Sequence, residues 1–160
     1  MKRIYFIRHG KSSWERNVED FDRPLMLRGE KAAELIGKYL QQNYTNRTIT
    51  AFSSAANRAK STLQIVAKHF SFSQTELREE LYTFNHITLQ YQIYHLDNTL
   101  HEVALFGHNP AFEILVNQLT GEQLHKFPTC ALAVIEFEEE HWEKCKKGKL
   151  LDFVEPKMLE

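Results

Sequence analysis

The chain has 160 residues, of which 42% are apolar and 26% charged, an ordinary balance for one soluble globular domain with a sizeable core, and we expect a single domain over 1–160. Twenty basic and 21 acidic side chains leave a formal net charge of −1. No global field therefore draws the chain to nucleic acid or to an anionic membrane, and any anion site must be a local concentration of charge.

In chain order, Arg3 to Ile7 is a short β-prone run that ends abruptly in a polar stretch from Arg8 to Asp20. Its apolar part is too short for a signal-peptide core or a spanning helix, and with no later long apolar window a cytoplasmic location is expected. Asp22-Arg23-Pro24 reads as a loop, because proline keeps the preceding residue out of the helical region. From about Arg28 to Gln42 the apolar residues fall at helical spacing. Thr48 to Ser53 is a second strand, and a second helix follows from about Ala55 to His69. Glu76 to Leu81 is assigned as a third strand and Thr88 to Leu96 as a helix. Val103 to Phe106 is a buried strand closed by Gly107, and Pro110 suits the first turn of a helix that Gly121 ends. Ala131 to Phe137 is a strong strand, Trp142 to Lys149 a charged and peripheral segment, and Leu150 to Val154 a last edge strand. Strands alternating with helices predict an α/β sandwich with a mostly parallel sheet.

The polar clusters follow the strands. Arg8-His9-Gly10-Lys11-Ser12 follows the first, Ser53-Ser54 with Arg58 the second, and Gly107-His108-Asn109-Pro110 the fourth. Ligands of parallel sheets bind at the carboxyl ends of the strands, so the three clusters are expected to converge. Two guanidiniums and two imidazoles would then form an anion site, for which tetrahedral phosphate is the natural occupant. A neutral imidazole there can attack phosphorus directly, and the neighbouring cations keep it neutral. Singly, each cluster has a plainer reading: a surface loop, a solvated arginine, a turn with a capping asparagine. Their joint position after three strands outweighs those readings.

The segments RHGKSSWE, DRPLMLRGEKAAELIGKYL, SSAANRAKSTLQIV and FGHNPAFEILVNQL, in that order, resemble the histidine phosphatase (phosphoglycerate mutase-like) superfamily. Within it the chain is similar to the SixA-type phosphohistidine phosphatases, through KSSW, FDRPL, GHNP, TCALA and the closing Pro156-Lys157. The resemblance implies a single three-layer α/β/α sandwich without metal or organic cofactor. It makes His9 the nucleophile, Arg8 and Arg58 phosphate-binding arginines, and His108 the second histidine at the phosphoryl group. The chain departs from the family at Glu15, where many members carry a phosphate-binding asparagine, and Ser12 and Ser13 are the candidates for a substitute donor, the alternative being that they shape the loop. The family's general acid is usually a carboxylate after the third strand, for which Glu80 and Glu79 are the candidates.

That uncertain acid bears on substrate. An alcohol leaving group has a conjugate acid of pKa about 15.7, imidazole one of about 6.5, so a site with a weak acid suits phosphohistidine better than an ester. The short stretch from Tyr82 to His101 leaves room for one helix and no large lid, so a phosphorylated protein is the expected partner, a small phosphorylated molecule the alternative, and a non-catalytic phospho-binding module the reading from another class. The remaining histidines form no H-x-x-x-H or H-E-x-x-H pattern, and Cys130 and Cys145 form no C-x-x-C, so no metal is expected and the thiols are expected to be free.

Overall fold

The computed structural model describes residues 1–14 and 17–160. Six strands form one sheet: β1 (Lys2–Arg8), β2 (Thr50–Ser54), β3 (Gln74–Arg78), β4 (Glu102–Gly107), β5 (Leu132–Phe137) and β6 (Lys149–Val154). Their order across the sheet is β3-β2-β4-β1-β5-β6. β1, β2, β3 and β4 pair in parallel, whereas β5 runs antiparallel to both β1 and β6. Four α-helices, α1 (Leu27–Asn43), α2 (Asn57–Val66), α3 (His86–Tyr94) and α4 (Ala111–Thr120), and four short 3-10 segments complete the regular structure among the described residues.

Two cores sit on the two faces of this sheet, because successive strand residues point to opposite sides. Ile4, Phe6, Val103 and Leu105 face α3 and α4, packing on Leu89, Ile93, Phe112 and Leu115. Tyr5, Ile7, Ala104 and Phe106 face α1 and α2, packing on Ala33, Ile36, Leu40, Leu63 and Val66. Ala33, Ile36 and Leu40 give α1 its buried stripe at helical spacing, leaving Arg28, Lys31 and Lys38 exposed. The three layers are those expected from the alternation of strands and helices.

Two local expectations are corrected. The third strand spans Gln74–Arg78, and Glu79–Leu81 is a 3-10 turn instead of its continuation. At the sheet edge β3 has mostly exposed side chains, so neither hydrophobic alternation nor a continuous apolar run marked its limits. The segment after β5 is not merely peripheral: Trp142 is fully buried, its indole N–H donating to the carbonyls of Asp97 and Leu100, both at 3.1 Å. A single tryptophan among charges hides such a plug from any pattern. At the end of α4, Gly121 takes the left-handed cap, φ 73°, as its position predicts.

Register fixes where the chemistry lies. Arg8 pairs with Gly107, Ser53 with Phe106, and Ser54 with Arg78, so the ends of the four parallel strands share one edge. The antiparallel β5 brings its beginning to the same edge, and β6 brings its end there: Val154 pairs with Leu132.

Candidate active site

The loop after β1 is pinned from four sides. His9 N–H donates to the Gly107 carbonyl (3.0 Å), tying it to β4. Cys130 N–H donates to the carbonyls of both Arg8 and His9, each at 3.0 Å. To reach both, Cys130 takes φ 62°, a left-handed conformation that costs about 1–3 kcal/mol for a residue other than glycine. Burial pushes the Cys130 thiol up to about 12, so it is a backbone clamp and not a nucleophile. From α2, Thr62 Oγ1 accepts from Gly10 N–H (2.9 Å) and donates to the Arg58 carbonyl (2.7 Å), joining the loop to the arginine-bearing turn. Finally, Gly10 and Gly29 touch backbone to backbone. A Cβ on Gly29 would stand 2.3 Å from the Lys11 carbonyl oxygen, and one on Gly10 2.8 Å from that of Gly29.

His9 is nearly buried, and its Nδ1 lies 2.7 Å from the Gly10 carbonyl. A carbonyl only accepts, so Nδ1 carries the proton and Nε2 the lone pair. Among the described residues nothing hydrogen-bonds to Nε2. Burial, reinforced by Arg58, Arg8 and Arg23 against the Gly10 hydrogen bond, lowers the His9 pKa to about 3, so the ring is neutral at physiological pH. His108 packs 5.2 Å away, centroid to centroid, and burial, followed by His9 and by Arg58 and Arg8 against the opposing Asp20 carboxylate, lowers it to about 3 as well. Its Nε2 sits 2.8 Å from Ser54 Oγ, which already accepts from Ala56 N–H. The serine proton is then best placed toward Nε2, which leaves Nδ1 as an N–H donor. That Nδ1 is buried and unpaired.

Three guanidiniums line the same pocket as His9. Arg8 donates through Nη1 to the Phe127 carbonyl (2.8 Å), which also accepts from Asn109 Nδ2 (3.1 Å). Arg58 donates to Asp20 twice, to the main-chain carbonyl at 2.7 Å and to Oδ2 at 3.0 Å. Arg23 donates to Asp20 Oδ1 (3.0 Å), to the Ser13 carbonyl (3.1 Å) and to Ser12 Oγ, and its guanidinium lies on the Trp14 ring. Tyr82 donates its hydroxyl to Asp20 Oδ2. Against the cost of burial, hydrogen bonds from Tyr82, Arg58 and Arg23 hold the Asp20 carboxyl down at about 2, so it is ionised. Arg8 Nε and Arg58 Nε, like His108 Nδ1, are buried without a partner. Buried donors of this kind are costly unless a ligand satisfies them, and three of the four found among the described residues belong to residues gathered here, the fourth being Arg3 Nε.

The resulting pocket, about 360 Å³, is lined by Arg8, Lys11, Arg23 and Arg58 against one carboxylate, Asp20, with His9 and Ser12 beside them and Trp14 and Phe84 at its rim. Tyr82 and Phe84 wedge against His108, ring centroids 5.4 and 5.3 Å away. The structure thus brings Arg8, His9, Arg58, His108 and Ser12 to one place. Glu79 and Glu80 are exposed and lie outside the pocket lining. Glu15 lies outside the described residues. Sequence reasoning missed Asp20, Arg23 and Tyr82; the acid–aromatic–acid–Arg–Pro run of residues 20–24 was the available signal. Such a pocket can hold a tetrahedral dianion against an unprotonated nitrogen. Among the described residues no three His, Cys, Asp or Glu side chains cluster as metal ligands.

Comparison with known proteins gives the following. A family model described as the histidine phosphatase superfamily (branch 1) matches residues 4–92. An uncharacterised protein of Mycobacterium tuberculosis, Rv1276c, is 28% identical over 152 residues, 89% of this chain and 93% of its own. A crystal structure from Agrobacterium tumefaciens, provisionally named phosphohistidine phosphatase SixA, is 30% identical with a TM-score of 0.82, covering 97% of this chain and 98% of that one. The protein histidine phosphatase SixA complexed with tungstate superposes with a TM-score of 0.83 at 23% identity, covering 99% of each chain, and shows the same fold.

Proposed function

Since this chain belongs to the histidine phosphatase superfamily, in its SixA-type branch, and is a phosphatase, we propose that it removes phosphate from phosphohistidine displayed on another protein, through a phosphorylated His9. The observation that carries this reading is the tautomer of His9: Nδ1–H held by the Gly10 carbonyl, and an Nε2 without a hydrogen-bond partner among the described residues, in a pocket also lined by Arg8, Arg23 and Arg58.

The reaction divides into two transfers. The Nε2 lone pair forms a bond to phosphorus as the P–N bond of the substrate breaks, and the departing imidazole keeps the electron pair and its own remote proton. Water then attacks the phosphorus on His9, its proton passing to the medium, and Nε2 recovers the lone pair as inorganic phosphate leaves. Arg8 and Arg58 take up the charge on the equatorial oxygens, with His108 Nδ1–H as a further donor. Asp20 anchors Arg58 and Arg23, and being ionised has no proton to give. The leaving group is a neutral imidazole that carries its own proton away, so the first transfer needs no general acid. An alkoxide would need one. The proposed acids for ester substrates, Glu80 and Glu79, stand outside the pocket lining, which favours phosphohistidine over the small-ester alternative. A non-catalytic binder would gain nothing from the His9 tautomer. We place the protein in the cytoplasm, as one domain; no helix among the described residues is long and apolar enough to cross a membrane.

The test is kcat/KM on a phosphohistidine peptide and on the matching phosphoserine peptide, whose leaving group is an alkoxide, for wild type, Glu79→Gln and Glu80→Gln. We expect the phosphohistidine peptide to be preferred by about tenfold or more, and its turnover to change less than about twofold in either variant. Preference for the ester, or a loss of about a hundredfold on both substrates of the size typical of a missing general acid, would contradict the reading.

A further inference from the structure

Beside the phosphate pocket lies a second, larger cavity of about 700 Å³, and the two share Lys11 and Thr129 in their walls. It runs along the exposed side of α1 to the segment after β6. Six cations line it: Lys11, Arg28, Lys31, Lys38, Lys126 and Lys157. Three carboxylates also do, Glu34, Glu155 and Glu160, with Glu34 hydrogen-bonded to His69 (2.6 Å) and Glu155 facing Lys126 (3.8 Å), so six cations stand against three anions. Among the described residues, Lys11, Arg28, Lys31, Lys38 and Lys157 have no ion-pair partner. In a chain whose net charge is −1, this is a marked local excess of positive charge. A fold with 20 cations and 21 anions has no need to gather six of the former beside one pocket.

We propose that this groove docks an acidic segment of the phosphorylated partner protein, next to the residue whose phosphate is removed. The inference rests on the phosphatase reading and adds the chemistry of the partner's flank. Arg28 to Lys38 is ten residues of α1, about 15 Å at 1.5 Å per residue. An extended peptide covers that with about four or five residues at 3.3–3.6 Å each. The partner's carboxylates therefore fall within about five or six positions of its phosphorylated residue. Lys11, common to both walls, joins the phosphate to this track. Because these cations are exposed, their effect is mainly on encounter and on KM, and salt weakens it.

Two twelve-residue peptides with one phosphohistidine test this, one with four flanking glutamates and one with glutamines in their place. The enzyme is wild type and the Lys31→Glu/Lys38→Glu/Lys157→Glu variant, and free phosphohistidine reports basal turnover. Wild type should favour the acidic peptide by about tenfold in kcat/KM at low salt, mostly through KM, and the advantage should shrink at 0.3 M salt. The variant should lose that preference while keeping free-phosphohistidine turnover within about twofold. Equal rates on the two peptides, or an unaltered preference in the variant, overturns the groove. Binding of the fluorescently labelled, unphosphorylated acidic peptide separates the two claims. Binding to wild type but not the variant, with no turnover of any phosphohistidine probe, overturns the phosphatase substrate and keeps the groove. A twelve-nucleotide single strand that binds the groove more tightly than the acidic peptide, or a variant that alters self-association in sedimentation, assigns the groove to another occupant and overturns the proposal.

Discussion

One hydrogen bond, from His9 Nδ1 to the carbonyl of its own neighbour Gly10, sets which nitrogen of the imidazole is available for chemistry. A backbone carbonyl cannot be protonated or rotated away without moving the clamped loop, so the tautomer is built in. Nitrogen-15 NMR of the imidazoles checks it. His9 should show the Nδ1–H tautomer, and neither His9 nor His108 should titrate between pH 8 and 5, because burial among cations puts both at about 3. A transition near the ordinary 6.5 for either ring would contradict the electrostatics described above. The residues at strand ends were legible because each followed a recognisable apolar run and bore an unusual side chain. Asp20 was not. Its partners Arg23, Arg58 and Tyr82 are 3, 38 and 62 residues away, and only folding makes one carboxylate serve two guanidiniums and a phenol. Glu79 and Glu80 illustrate the reverse case, a sequence position that does not fix where a side chain lies. They followed a strand as the family pattern asks, but a 3-10 turn leaves them exposed.

Among elements, the contact that matters most is that between the first turn of α1 and the loop after β1. Met26 N–H donates to the Lys11 carbonyl (2.8 Å), and Gly29 leaves no room for a side chain against that same residue. Gly29→Ala should therefore displace the loop, lowering stability by about 1–3 kcal/mol, as overpacking does, and kcat/KM by about tenfold or more. Denaturant titration and turnover measure the two effects; an active, undiminished variant would show that the loop is held by its hydrogen bonds alone. The sequence revealed α1 through its apolar stripe and the central strands through their continuous apolar runs, since both faces of β1, β4 and β5 are buried. It did not reveal the junction between them, because a glycine required for close approach looks like any other glycine. The limits of β3 were hidden for a related reason: an edge strand is stabilised by its pairing with β2, and its side chains carry little of that information.

For the whole molecule, two neutral buried imidazoles carry a cost that depends on pH. The unfolded chain takes up protons at His9 and His108 below about 6.5, whereas the folded chain refuses them until about 3. Stability therefore falls as pH drops through that window, with the full contribution present above 6.5. At pH 5 each imidazole accounts for about 2 kcal/mol, so wild type should lose roughly 4 kcal/mol more between pH 7.5 and 5.0 than the His9→Asn/His108→Asn double variant. Urea titrations of both proteins at both pH values measure the difference, and parallel behaviour would show that these rings are not held neutral. The charge pattern gives a second whole-molecule feature. A net charge of −1 conceals a cationic pocket and a cationic groove at one end of the sheet, and composition alone could not separate them from a uniformly mixed surface.

The central claim, phosphoryl transfer to His9, is tested most directly by trapping the intermediate. The enzyme would be mixed with a phosphohistidine peptide, quenched in alkali, where a phosphorylated imidazole survives, and the label mapped by mass spectrometry. The account predicts one acid-labile phosphate, on His9 and at Nε2, formed and discharged as fast as turnover and absent from His9→Ala, which should keep its fold. Label on His108 or any other residue, or turnover in His9→Ala comparable to wild type, would contradict it.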